Sequence, residues 1–253
     1  MLRPYGGFAT VPGGYTEGMA EPTDSQLISD YLVDLYGADP FAHVRVASNA
    51  HRVEHAASLG RGGEQTCGVY PSDAPKMRLL ATVLRATGAQ RILEIGCGLG
   101  YSALWLAEAA GPRASIETID RFPDHIELAM RETEDLGFAG RIEFHQGEAQ
   151  EILLRLSGPY DLIHDDGWFA EEPPYFQRMV DLLRPGGLLV MSNWFLLGHA
   201  TTDKPEVDWS QFAGPDWATN VKAYARRLTS HPQLHVSFIM QPAWLALACK
   251  LHQ

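Results

Sequence analysis

From Arg91 onward, short apolar runs alternate with longer amphipathic segments. Arg91–Ile95, Ser115–Ile119, Ile142–His145, Tyr160–Asp165 and Leu188–Ser192 have the length and the apolar content of buried strands. Between them, Ser102–Ala110, Pro123–Leu136, Ala149–Leu156 and a segment from Pro173-Pro174 to near Leu183 carry apolar residues at helical spacing. Pro123 suits a helix start, Gly137 a helix end, and Arg184-Pro185-Gly186-Gly187 a tight turn into the fifth strand. Strand–helix alternation predicts an α/β fold: a parallel sheet with helices on both faces and right-handed crossovers. The end of the chain changes character. A long loop, Phe195 to Pro215, precedes a helix from Trp217 to near Ser230. Leu234–Met240 and Trp244–Leu251 then flank Gln241-Pro242, too close together for a crossover helix, so they are expected to pair as an antiparallel hairpin.

Ahead of this region, Asp24 or Ser25 caps a predicted helix over Gln26–Tyr36, with Leu27, Ile28, Tyr31, Leu32 and Leu35 on one side and Gly37 at its end. A second helical piece, Pro40–Ala57, carries His43, His51 and His55. The glycine-rich turn Gly60–Gly63 follows, and then Pro71-Ser72-Asp73 opens a helix through Leu84 that Gly88 ends. Residues 1–22 read as an arm.

Composition narrows the class. With 253 residues the chain can bury one full core, or a core plus a small cap. Hydrophobic residues at 45% and charged residues at 20% are ordinary for a soluble globular protein. No apolar run has the length of a membrane span, and the first residues lack the apolar stretch of a signal peptide. Cys67, Cys97 and Cys249 are odd in number and lack metal spacing, which fits a reduced cytoplasm. A net charge of −11 disfavours a polyanionic partner such as nucleic acid.

The chemistry gathers around Glu94-Ile95-Gly96-Cys97-Gly98-Leu99-Gly100-Tyr101-Ser102. A strand ends, three glycines follow at alternate positions, and a helix begins. Glycines there turn the chain sharply and let a ligand approach main-chain N–H groups. A dinucleotide fingerprint would place its last glycine at position 101, where Tyr101 stands. The pattern E-x-G-x-G-x-G resembles the class I S-adenosylmethionine-dependent methyltransferases.

In a sheet of this kind the ligand lies beyond the carboxyl ends of the strands. Glu94 and Gly96, Gly98 and Gly100 follow the first strand; Asp120, with Arg121 beside it, ends the second. An acid at that place suits both ribose hydroxyls. Gly147-Glu148-Ala149-Gln150 follows the third strand, Asp165-Asp166-Gly167-Trp168 the fourth, and Ser192-Asn193 the fifth.

Several of these segments resemble the small-molecule O-methyltransferases of the catechol and caffeoyl-CoA type: Gly100-Tyr101-Ser102, Gly147 with Gln150, Asp166-Gly167-Trp168, Leu183–Gly187 and Gly68–Ser72. The resemblance implies a Rossmann-like methyltransferase fold with a mostly parallel seven-stranded sheet, one antiparallel strand, helices on both faces and an N-terminal helical cap. It divides the chain into an arm and cap, residues 1–60, and an S-adenosylmethionine-binding methyltransferase domain, residues 61–253. It gives Ser102 the methionine carboxylate and puts Trp168 near the adenine. It also implies a small-molecule acceptor, most simply a hydroxyl or phenol, and a homodimer.

Two departures concern the acceptor side. The family holds a divalent metal with an Asp after the fourth strand and an Asp-Asn pair after the fifth. Here those positions are Asp166, Ser192 and Asn193, so one carboxylate is missing. The family's catalytic lysine position is Phe169. Neighbouring strand residues face opposite sides, so Asp165 is expected to point away from His164 and Asp166 and cannot simply replace the missing ligand. Without a metal to acidify a hydroxyl, a general base is needed, and histidine suits neutral pH. His164 and His199 are the first candidates, with His43, His51 and His55 in the cap, while Asp166 and Asn193 would orient the acceptor. If a metal is bound, Asp166 and Asn193 are its expected ligands. Two other readings stay open: an S-adenosylmethionine-binding paralogue that does not methylate, and a tRNA methyltransferase, which the acidic balance disfavours.

Overall fold

The computed structural model describes residues 31–32, 34–58, 68–167, 173–202, 209, 215–240 and 243–252. The predicted arm, most of the first predicted helix, the turn at 60–63, Trp168, Phe169 and most of 203–214 lie outside the described residues, as does the His55 side chain.

Helices α1 (Ala42–Ser58) and α2 (Ala74–Thr87) lead into strand β1 (Arg91–Ile95). The α2 start is built as the sequence predicts. Asp73 is extended, and its carboxylate accepts the Lys76 N–H at 2.7 Å, capping an otherwise orphaned donor. Gly88 closes the helix in the left-handed conformation, φ 65°. Helix α3 (Tyr101–Ala110), strand β2 (Ser115–Asp120), helix α4 (Pro123–Asp135), strand β3 (Ile142–Gln146) and helix α5 (Ala149–Arg155) follow. Strand β4 (Tyr160–Asp165), helix α6 (Pro173–Leu182) and strand β5 (Leu183–Met191) complete the alternating part. Helices α7 (Phe195–Thr201) and α8 (Trp217–Thr229) and strands β6 (Leu234–Ile239) and β7 (Leu245–Lys250) end the chain.

The described strands form one seven-stranded sheet in the order β3-β2-β1-β4-β5-β7-β6. All the pairs from β3 to β5 are parallel, and β7 runs antiparallel to both β5 and β6. This is the expected mixed sheet, with the terminal hairpin as its antiparallel end.

Alternation of side chains along the strands divides the core into two layers. Ile92, Leu162 and Val190 share one face and pack with α1, α2 and α3 through Val44, Leu80, Leu84 and Leu104. Leu93, Ile163 and Leu189 take the other face with Phe176, Met179, Tyr224 and Leu228 of α6 and α8. Each fully buried side chain of this size is worth about 1.5–3 kcal/mol. Of the ten residues of α3, eight are buried, because this helix lies between the sheet and the N-terminal helices.

Two expectations need correction. The predicted turn at Arg184–Gly187 is part of β5, which begins at Leu183 rather than Leu188. Tyr160 pairs with Leu183 and the register shifts before Leu162, so the chain bulges within the sheet where Gly186 takes φ 73°. The predicted loop after the fifth strand begins with a helix, α7, anchored by the buried Trp194 and Leu196. Among the described residues no helix is long and apolar enough to cross a membrane.

Candidate active site

A cleft of about 430 Å³ opens at the carboxyl edge of the sheet. Gly96, Cys97, Gly98 and Leu99 form its floor with Tyr101 and Ser102 of α3; Asp120 and Asp166 reach it from β2 and β4. Ser48 of α1 and the stretch Gly68–Ser72 line it from the N-terminal side.

The glycine loop is set by backbone contacts. Gly96 and Cys97 donate to the Ile119 carbonyl at 2.9 and 3.2 Å, and Gly96 has φ 91°. A Cβ on Gly96 would lie 3.0 Å from the Asp166 carbonyl oxygen, so the loops after β1 and β4 approach as closely as they do only because this residue has none. Asp120 is 9% exposed. Its Oδ2 accepts the Gly98 N–H at 2.9 Å, and its Oδ1 accepts the Phe122 N–H at 3.0 Å and faces His125 Nδ1 at 3.1 Å. Gly147 is tied to the same corner, donating to the Asp120 carbonyl at 2.9 Å. Arg121, Glu148 and Gln150 are exposed and Ala149 is half-buried at the start of α5, along the same edge. The Tyr101 hydroxyl donates to Asp39 Oδ2 at 2.8 Å, fastening the segment before α1 to the helix that follows the glycine loop. Burial, then the bond to Asp39, pushes its phenol well up. Cys97 is buried on the cleft floor, and desolvation followed by the charges of Glu94 and Asp120 pushes its thiol up too.

Glu94 and His164 do not meet the cleft. Both are 0% exposed. Thr118 Oγ1 donates to Glu94 Oε2 at 2.7 Å, His164 Nδ1 lies 3.4 Å from Glu94 Oε1, and His164 Nε2 lies 3.3 Å from Ser192 Oγ. The parallel register sets Glu94 directly beside His164. The result is a sealed polar chain crossing from β2 to the end of β5 beneath the loops. His164, expected as a base that reaches an acceptor, is instead placed with both ring nitrogens facing protein and away from the residues that line the cleft.

Asp166 does reach the cleft. Its Oδ2 accepts a hydrogen bond from Ser72 Oγ at 3.0 Å, a partner that the capping signature Pro71-Ser72-Asp73 concealed. Asn193 takes φ 68° and donates from Nδ2 to the Gly167 carbonyl at 3.3 Å. Asp165 is on the opposite face, as strand alternation predicts, near Tyr175 and Tyr224, whose phenols are pushed up by burial first and then by its charge. Burial lifts its own carboxyl to about 6. His199 is half-buried on α7, edged by Phe195 and Trp209 at 6.1 and 5.8 Å between ring centres, and His43 is exposed beside Glu132 at 3.7 Å. His51 meets the ring of His125 at 5.4 Å. His125 itself, 2% exposed against the acid that ends β2, carried no motif in the sequence.

The implied divalent metal meets a donor set that does not fit it. Mg²⁺ and similar hard cations want oxygen ligands with one or two carboxylates among them. Of the three positions the family would use, Asp166 alone is a carboxylate and already accepts from Ser72, while Ser192 is neutral and turned toward His164.

The sheet order, the antiparallel seventh strand and the glycine cleft at the carboxyl edge define a Rossmann-like methyltransferase architecture. A family profile described as O-methyltransferase matches residues 69–251, and the chain belongs to that family. A catechol O-methyltransferase of Niastella koreensis is 31% identical over 173 residues, 66% of this chain and 72% of that protein. A relative from Mycolicibacterium vanbaalenii is 37% identical over 124 residues, 48% of this chain, and that match spans only 55% of the relative's own length. The solved structure of the O-methyltransferase TomG from Streptomyces achromogenes, involved in tomaymycin synthesis and in complex with SAM, is 26% identical, with a TM-score of 0.73 over 92% of this chain and 100% of that one.

Proposed function

We propose that this protein is an S-adenosylmethionine-dependent methyltransferase that methylates a hydroxyl or phenol of a small molecule. The observation that carries this reading is the cleft in which the glycine loop, Asp120 and Asp166 converge. S-adenosylmethionine supplies an activated methyl group when bound. In this reading the N–H groups around Gly96, Gly98 and Gly100 and the Ser102 hydroxyl hold its amino-acid end, and Asp120 accepts from the ribose hydroxyls. Arg121, Gly147, Glu148, Ala149, Gln150 and Trp168 frame the adenine. Glu94 braces the loop from below through Thr118.

On the acceptor side, Asp166, steadied by Ser72, accepts the hydrogen bond of the acceptor hydroxyl, and Asn193 adds an amide donor or acceptor. His199, on the helix beyond Asn193, is the histidine this reading assigns as base. Transfer mainly needs alignment of the reacting atoms and an electron-rich oxygen, so no metal is required. The test is release of S-adenosylhomocysteine from a panel of catechols and simple phenols, before and after exhaustive EDTA treatment. Turnover that survives EDTA is expected. Loss with EDTA and recovery with Mg²⁺, Mn²⁺ or Ca²⁺ would return Asp166 and Asn193 to a metal shell. The missing carboxylate at Ser192 and missing lysine at Phe169 also favour a second reading, a binder that does not methylate. That reading ends with the first acceptor that yields product. A cytoplasmic setting, in keeping with the free Cys97 and Cys249, and a homodimer complete the proposal; light scattering in solution tests the latter.

A further inference from the structure

Asp120 is asked to present a carboxylate to a ligand, yet a carboxylate at a strand end has two soft torsions and no fixed aim. The geometry points to His125 as the residue that aims it. We propose that His125 is a positioning residue for cofactor binding, acting through Asp120; the inference rests on the reading of Asp120 as the ribose acid.

Three observations converge. His125 Nδ1 lies 3.1 Å from Asp120 Oδ1, and because a carboxylate oxygen only accepts, this nitrogen carries the hydrogen and donates. The imidazole is 2% exposed, so the bond does not compete with water. The ring is also clamped. Phe122 packs on it at 4.8 Å, and His51 of α1 meets it nearly edge-on, at 5.4 Å and 79°. The Phe122 N–H shares the same oxygen at 3.0 Å, so Oδ1 is fully engaged on the protein side. Oδ2 is thereby turned toward the glycine loop, where it accepts from Gly98 at 2.9 Å, and Asp120 lines the cleft. One oxygen is anchored and the other is aimed. His51 lies one turn beyond Ser48, which lines the cleft, so the seating of the N-terminal helix bears on the same ring.

The experiment is calorimetric titration with S-adenosylhomocysteine of the full-length protein and four variants. His125→Phe keeps a ring against Phe122 and His51 but donates nothing; affinity should fall about tenfold, the size of one lost charge-assisted hydrogen bond. His125→Asn keeps a donor at about the position of Nδ1 and should bind within about twofold of the parent. A purely structural role predicts the reverse, with the ring-preserving variant binding better. Asp120→Ala should weaken binding, and adding His125→Phe to it should change little further, because the two residues act as a unit. Wild-type affinity in folded His125→Phe, or the same loss with and without Asp120, overturns the inference while the reading of Asp120 stands. Unchanged affinity in Asp120→Ala overturns both.

Discussion

On either side of β1 the carboxyl edge of the sheet is built in two different ways. Toward β2, backbone N–H groups predominate: Gly96 and Cys97 donate to the Ile119 carbonyl, Gly147 to the Asp120 carbonyl, and Gly98 and Phe122 to the Asp120 carboxylate, which His125 also meets. Toward β4 and β5, backbone ties from Asp166 to Ile95 and from Ser192 to Asp165 are joined by contacts through side chains: Ser72 to Asp166, His164 to Ser192, Asn193 to Gly167. A backbone donor cannot be substituted away. It leaves only a demand for residues that permit its geometry, which is why the glycine motif keeps its form. A side-chain contact changes whenever the residue does. The β4–β5 side is where this chain departs from what it resembles, with Ser192 and Phe169 in place of an acid and a lysine.

The largest effect expected is on the backbone-built side. Gly96→Ala must hold a Cβ residue at φ 91° and place that Cβ 3.0 Å from the Asp166 carbonyl oxygen. The left-handed φ costs a non-glycine residue about 1–3 kcal/mol, and the Cβ contact is eased only if the Asp166 backbone gives by a few tenths of an ångström. Titration with S-adenosylhomocysteine should show at least about a hundredfold loss of affinity. An alanine variant that binds normally would mean that the close approach of the loops does not matter, and the contrast would collapse.

A smaller effect tests the other side. Asp165 is buried and, among the described residues, its carboxylate accepts the Gly167 N–H at 3.2 Å; burial raises its carboxyl from an ordinary 3.8 to about 6. The folded state therefore binds a proton more tightly than the unfolded chain. The stability this lends is fully present below about 3.8 and is lost as pH rises through about 6. Asp165→Asn keeps an oxygen for Gly167 and never ionises. Denaturant unfolding at pH 7.5 should find it more stable than the parent by at most about 3 kcal/mol, with the gain shrinking through pH 6 and gone near pH 4. Equal stability at pH 7.5 would show that the charge there is well accommodated.

The same contrast decides what the sequence could reveal. The alternation of strands and helices, the antiparallel hairpin at the end and the glycine turn follow from patterns within a few residues of one another. The start of β5 does not. Pro185-Gly186-Gly187 reads as a turn, but pairing of Tyr160 with Leu183 draws the segment into the sheet as a bulge. Helix α7 contains Gly198 and Thr201, poor helix formers, and is held by burial of Trp194 and Leu196 rather than by propensity. Alternation along β4 correctly separates Asp165 from His164, but it carries no information on depth. The register that seals His164 against Glu94 joins residues 70 positions apart. His125 escaped for a related reason: its meaning depends on reaching back to Asp120 beneath the start of α4.

The smallest effect expected concerns the seam between the N-terminal helices and the backbone-built side. Tyr101 stands in the Gly-Tyr-Ser signature, which assigns it to the cofactor, and its ring does line the cleft. Its hydroxyl, however, donates to Asp39 at 2.8 Å. Asp39 also accepts the Phe41 N–H at 3.0 Å and lies 3.5 Å from the Arg45 guanidinium, so removing the phenol leaves its carboxylate partnered. Tyr101→Phe should therefore cost only about 1 kcal/mol of stability, without the larger penalty of an orphaned buried charge. The ring remains, so affinity for S-adenosylhomocysteine should stay within about threefold of the parent. Hydrogen exchange offers a sharper reading, because the lost tie is local: amides of α1 should exchange faster while those of β1 and β4 keep their protection. Should affinity fall tenfold or more with α1 protection unchanged, the hydroxyl would belong to the cofactor rather than to the seam.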